Sequence, residues 1–215
     1  MADGFESFVK DSQQFLTELA GHNTRDWFVG QKPRYDRELK VPAGHLLTAL
    51  EGRLTALSGG TVKGKLFRPQ RDLRFSKDKT PYHTHLHLAW MPPAGHAPAA
   101  GWFFGISPDY VSAGAGIMAF SGDQITAYRD AVAGRAGAEL AGILATGGFR
   151  LDAPELKRLP SGFAKDHARA DLLRRKSLTV WRDGIEGRLR GDLPTALEQV
   201  FREMHPVAAW LRQNT

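Results

Sequence analysis

The chain has 215 residues, 42% of them hydrophobic and 24% charged, a balance that suits one folded domain with a sizeable core and excludes overall disorder, collagen-like repeats and coiled coil. It has no cysteine, which excludes disulfides, Cys-ligated zinc, iron–sulfur clusters and thiol catalysis. No apolar run approaches the ~20 residues that span a bilayer, and the opening MADGFESFVKDSQQFL lacks the basic-then-apolar order of a secretory signal, so a cytoplasmic, bacterial-type protein with no membrane partner is expected.

In chain order, Phe8, Phe15, Leu16 and Leu19 are spaced like one face of a helix. Gly21 and Asn23 interrupt it, and Thr24 caps a new short helix. Residues 32–57 read as a long helix with Tyr35, Leu39, Leu46, Leu47, Leu50, Leu54 and Leu57 inward, broken near Val41 by Pro42 and ended by Ser58-Gly59-Gly60. Strands follow at 65–68, 72–76 and 82–90, then a Pro/Ala/Gly loop at 91–100. Two more strands, at 102–107 and 110–118, turn at Pro108-Asp109. Ser121 and Gln124 form a capping box opening a helix with Ile125, Tyr128 and Val132 inward. A second helix covers 136–145 and stops at Gly147-Gly148. Asp152, Pro154 and Glu155 read as a helix start, 170–176 as another short helix, and 177–181 as a strand. The last helix opens near Pro194, with Leu197, Val200, Phe201, Met204, Ala208 and Leu211 at helical spacing and a kink expected at Pro206. Helices, then strands, then helices predict one α+β domain over 1–215: N-terminal helices in 5–58, a mainly antiparallel sheet in 62–118, and a C-terminal helical region in 121–215 packed with the others on the sheet.

The formal charge is +6, with a sequence pI near 9.7, and it is unevenly spread. Residues 63–90 carry seven Lys and Arg against Asp72 and Asp78, and 156–177 carry seven against Asp166 and Asp171. If the two segments meet, they focus a positive patch that attracts anions; the plainer alternative is two solvated faces.

Residues 67–90 carry most of the chemistry. Closed as a hairpin around Lys77-Asp78-Lys79-Thr80, with Ser76 opposite Pro81, the segment sets Phe75 against Tyr82 and Leu73 against Thr84 on a mainly apolar side. The polar side then pairs Arg74 with His83 and Asp72 with His85, and His87 extends it. Three readings of this polar face stay open. Asp72 orients His85 while the arginines and lysines hold a phosphate or carboxylate; or His83, His85 and His87 bind a metal, although residues two apart lie ~6.5 Å apart along a strand and at most two suit one ion; or the face is merely hydrophilic.

Ser112, Gly114 and Gly116 give the following strand one smooth side, which suits a helix packed on it or a close ligand. Walker, Rossmann and Ser-centred nucleophile-elbow motifs are absent. In the second basic segment Asp166 or Asp171 is within sequence reach of His167, and a capped turn opened by Asp166 explains the same residues.

The string FRPQRDLRFSKDKTPYHTH (67–85) resembles the core motif of an uncharacterised family, domain of unknown function 2461. The likeness extends to the Asn23-Thr24-Arg25-Asp26-Trp27-Phe28 segment, to Lys32 and Tyr35, to the glycine-rich strand, and to LPSGFAKDHARADLLRRKS (159–177). By position the family pattern falls on Arg68, Arg71, Asp72, Arg74, Lys77, Lys79 and His85, and later on His167, Asp171 and Lys176. The chain departs from it at His83 and His87, which counts against a three-histidine metal site. The resemblance implies a fold and no reaction.

The leading expectation is a basic pocket for a phosphate- or carboxylate-bearing small molecule, formed by Arg68, Arg71, Arg74, Lys77 and Lys79 and closed by His167 and Lys176. Asp72 and His85 form an acid–base pair within it, no metal is expected, and no cofactor is indicated. The alternative is a nucleic-acid-binding module with Trp27, Trp102 and Phe104 as stacking surfaces.

Overall fold

The structure is a computed structural model describing residue 5, residues 7–93 and residues 100–215. It is an α+β domain whose helices lie before, between and after six strands. The strands are β1 (Lys63–Leu66), β2 (Leu86–Met91), β3 (Gly101–Ile106), β4 (Val111–Ile117), β5 (Arg150–Leu151) and β6 (Leu178–Asp183). They form one fully antiparallel sheet in the order β1-β2-β3-β4-β6-β5.

The helix ends follow local chemistry. Helix α1 (Phe8–Gly21) buries Phe8, Phe15, Leu16 and Leu19, the spacing seen in the sequence. Helix α2 (Arg25–Tyr35) is capped by the Thr24 hydroxyl, which accepts from the Trp27 N–H. The break expected at Pro42 takes a milder form. A wide π turn over Asp36–Lys40 joins α2 to α3 (Val41–Ser58) without interrupting the helical run, and Pro42 follows it directly, so the disturbance that proline brings to a helix is taken up by a local widening rather than by a break. Helix α4 (Gly122–Ala133) opens on the full Ser121–Gln124 capping box, and α5 (Arg135–Gly147) ends on Gly148 in the left-handed region, φ 57°. A four-residue helix, α6 (Ala170–Leu173), precedes β6, and α7 (Leu193–Asn214) is continuous through Pro206.

One face of the sheet is the core. Leu86, Leu88 and Trp90 of β2, Trp102, Phe104 and Ile106 of β3, Val111, Ala113 and Ala115 of β4, and Leu178 and Val180 of β6 are all buried. Leu46, Leu50 and Leu54 of α3 and Leu197, Phe201 and Met204 of α7 belong to the same buried cluster. Phe201 is the centre of contact, its ring 5.8 Å from Trp90 and 5.4 Å from Trp102. Both indole N–H groups are satisfied, Trp90 by the Leu47 carbonyl at 3.0 Å and Trp102 by the Ser58 hydroxyl at 2.8 Å.

Three expectations need correction. Residues 72–76 form no strand, and the 67–85 arm has a different register. Its single bridge pairs Gln70 with Tyr82, whereas the expected hairpin would set Gln70 across from His87. Backbone bonds run from Arg71 N–H to the Pro81 carbonyl and from His83 N–H to the Pro69 carbonyl. Beyond them side chains replace the ladder. The Asp72 carboxylate accepts the Arg74 N–H and the Asp78 carboxylate the Thr80 N–H, so the chain makes a broad loop. The helix start expected at Asp152 is not formed, because Glu155 is drawn to the Lys176 N–H and the Ser177 hydroxyl. The short strand β5 is an addition. The loop expected at 91–100 lies mostly outside the described residues.

Gly116 sits at φ 145°, where a Cβ would come within 2.0 Å of the Leu178 carbonyl oxygen of β6. Neither the neighbouring backbone nor an L-residue can relax there cheaply. Gly116→Ala is therefore expected to lower stability by at least about 2 kcal/mol, read as a lower urea midpoint at unchanged slope.

Candidate functional site

No described helix packs over the Ser112–Gly114–Gly116 side of β4. The pleat turns these residues away from α3 and α7, and residues two apart along each strand share that side. Following the register across the sheet, one row reads Phe67, His87, Gly105, Ser112, Asp183. The next reads Ala89, Phe103, Gly114, Trp181, Arg150. The small residues form a floor between larger walls. A Cβ on Gly114 would lie 2.4 Å from the Trp181 ring, so glycine is what lets the indole lie against the sheet. Trp181 is held there by its N–H, which donates to Asp152 at 3.1 Å, with the Arg150 guanidinium over the ring. Arg150 in turn binds Asp183 and Asp152. The result is a groove of about 860 Å³, lined mainly by Phe67, Met91, Phe103, Met118 and Trp181, with the polar groups of His87, Tyr110, Ser112, Arg150, Asp152 and Asp183 at its margins.

A smaller pocket of about 250 Å³ adjoins it and shares Phe67 and His87; its other walls are Arg68, Gln70, Asp72, His83 and His85. The three imidazoles stack as a column, with ring centroids 4.7 Å apart between His83 and His85 and 3.8 Å apart between His85 and His87. His87 Nε2 closes the column against the Tyr110 hydroxyl at 2.8 Å. Burial, reinforced by the neighbouring imidazoles, pushes His85 and His87 down to about 4. His83 is lowered by burial and then by Arg71. The column is therefore uncharged at neutral pH. Burial raises the Tyr110 phenol. Stacked rings turn their nitrogens sideways rather than toward a common point, and no group of three or more His, Asp or Glu among the described residues is placed to hold a metal ion.

The sequence-selected residues divide. Arg68, Asp72 and His85 share the small pocket, but Asp72 and His85 share no hydrogen bond. The Asp72 carboxylate is taken by the Arg74 guanidinium at 2.6 Å, which also lowers its pKa. The expected dyad is thus replaced by an acid–base contact within the loop, a consequence of the changed register. Arg71 binds Asp78 and Thr80, and Lys79 donates to the Leu73 carbonyl at 3.1 Å, so both hold the loop together. Arg74 and Lys77 are exposed.

The second basic segment lines a separate pocket, formed by Lys157, Arg158, Phe163, Lys165 and Arg174 among others, with no residue in common with the first. His167 and Lys176 therefore do not close the histidine pocket. His167 Nδ1 accepts the Arg169 N–H at 3.0 Å and itself makes the turn expected of Asp166, while Asp171 pairs with Arg174. Arg169 donates to the Val132, Ala133 and Gly134 carbonyls at the end of α4. Arg169 and Arg174 of this segment thus serve the fold, while Lys157, Arg158, Lys165 and Lys176 form no ion pair with described residues.

Tyr110, Phe103, Trp181, Arg150 and Asp183 escaped sequence reasoning as site residues. Their signal was the period-two partner of the smooth side already visible at Ser112, Gly114 and Gly116.

Residues 11–210 match the profile of the family of conserved hypothetical proteins DUF2461. The chain belongs to this family. A comparison with curated proteins gives no match. The match spans every strand and helix of the DUF2461 chain except the start of α1 and the end of α7. None of the described helices is long and apolar enough to cross a membrane.

Because His85 and His87 bind protons far less readily folded than at the ordinary 6.5, the unfolded chain takes up protons first as the pH falls. Their contribution is complete above about pH 6.5 and is lost as pH drops through about 4. Replacing both with Gln is expected to flatten the urea stability profile across that window and to leave its alkaline side unchanged.

Proposed function

We propose that the uncovered face of the sheet binds a small molecule with an apolar body and a phosphate or carboxylate head. The observation that carries this reading is the adjacency of the two pockets, which share Phe67 and His87 as lining residues. The large groove offers aromatic and methionine surface and removes apolar area from water at about 25 cal/mol per Å². The smaller pocket offers Arg68, which makes no ion pair with the other described residues, and neutral imidazoles that each donate one N–H. Asp72, the carboxylate of that pocket, is neutralised by Arg74, which removes the main repulsion toward an incoming anion. His85 serves here as a hydrogen-bonding group, because no carboxylate among the described residues is hydrogen-bonded to it to orient it for proton transfer.

The probes are 2-naphthoate and its neutral counterpart 2-naphthylmethanol, followed by calorimetry and tryptophan fluorescence. The wild-type chain is expected to prefer the anion. Arg68→Ala removes a charged hydrogen bond of about 1.5–3 kcal/mol, weakening naphthoate roughly tenfold or more while leaving the alcohol unchanged. Ser112→Leu, which fills the groove floor, is expected to abolish both. Equal affinity of the wild type for the two probes, or binding insensitive to both substitutions, overturns the reading.

A further inference from the structure

Phe75 is 95% exposed. Of the three rings first considered for base stacking, Trp102 and Phe104 are each 1% exposed and belong to the core, and Trp27 is half-buried against Phe15 and His22. The most exposed aromatic ring among the described residues of this DUF2461 chain lies instead at the tip of the 67–85 arm, outside both pockets. It is not the product of a loose loop. Arg71 binds Asp78, the Thr80 hydroxyl and the Ser76 hydroxyl. Asp78 accepts the Thr80 N–H at 2.9 Å, Lys79 donates to Leu73 at 3.1 Å, and Asp72 accepts the Arg74 N–H at 3.1 Å. The loop is organised before any partner arrives, so little ordering entropy opposes binding.

The charges around the ring define the partner. Arg71 and Arg74 are neutralised by Asp78 and Asp72. Lys77 and Lys79 follow the ring in sequence, are exposed, and form no ion pair with described residues. Arg74 also stands over the Phe75 ring at 6.0 Å. A membrane-inserting tip would present several apolar side chains together; here one ring stands among charged neighbours. An isolated ring followed by two lysines without ion pairs, of which Lys79 spends one N–H on the Leu73 carbonyl, matches the alternation of base and phosphate in a single strand, where base–aromatic stacking supplies sequence-tolerant affinity.

We propose that the tip of the arm docks single-stranded nucleic acid, with Phe75 stacking on a base and Lys77 and Lys79 contacting phosphates. Phe75 lies outside both the groove and the histidine pocket, so this docking and the small-molecule reading stand or fall separately.

The test uses the full chain and a fluorescein-labelled oligo-dT 15-mer, followed by anisotropy between about 50 and 200 mM salt, the range over which phosphate contacts are read. Phe75→Ala is expected to weaken binding about tenfold without changing the salt slope, and Phe75→Trp to restore it. Lys77→Ala with Lys79→Ala is expected to reduce the slope of log K against log salt by about 1.4, near 0.7 per phosphate contact. Because Lys79 also donates to the Leu73 carbonyl, Lys77→Ala alone, expected to lower the slope by about 0.7, separates a lost phosphate contact from a disturbed loop, and the thermal midpoint of each variant checks folding. The proposal is overturned by absence of saturable binding at the lowest salt, by a Phe75→Ala variant within twofold of wild type, or by Phe75-dependent capture on phosphatidylserine vesicles without oligonucleotide binding.

Discussion

Pleat parity governs this molecule. Along β2, β3, β4 and β6 the side chains alternate between a face sealed by α3 and α7 and a face that no described helix covers, where Phe103 and Ser112 are buried by neighbouring side chains instead. The sealed face takes the large residues Trp90, Trp102 and Phe104, and Phe201 locks helix to sheet between the two indoles. The open face takes glycine and serine at its centre and aromatics at its sides. Groove, histidine column and Trp181 shelf are all consequences of that division. A one-residue slip of any central strand would exchange core and groove.

Much of the fold was legible. The helix faces of α1 and α7, the Thr24 and Ser121 caps, the disturbance at Pro42 and the strands β3 and β4 all rest on local periodicity or capping chemistry, which survive in almost any tertiary context. The arm did not, although its alternation was genuine. Two prolines and two aspartates, Asp72 and Asp78, diverted its backbone bonds to side chains, and the register moved. The Asp72–His85 pairing depended on that register and went with it. Ser112, Gly114 and Gly116 were visible as a smooth side, but nothing within β4 could say whether a helix would cover it. That outcome is set by α3 and α7, which choose the other face.

The basic character of the chain is less available to ligands than its net charge suggests. Arg71 and Arg74 are committed to aspartates of their own loop, Arg169 to the carbonyls ending α4, and Arg150 to Asp152 and Asp183. Among the described residues, the cations without an ion pair include Arg68, Lys77 and Lys79 on the arm and Lys157, Arg158 and Lys165 around the second basic pocket. Charge counts along a sequence therefore overstate a field whenever arginine is used as a hydrogen-bonding strut.

The arm is fastened at its far end by one side chain. The Asn23 amide donates to the Tyr82 carbonyl at 2.9 Å and accepts the Tyr82 N–H at 3.1 Å, while Phe28 stacks on the Tyr82 ring at 4.1 Å. Asn23 thus imitates a peptide unit of a neighbouring strand, and the junction between α1 and α2 acts as a surrogate edge for the sheet. The 67–85 motif is consequently not a portable cassette. Transplanted to another scaffold without that asparagine and its supporting aromatic, it would carry its residues but not their arrangement.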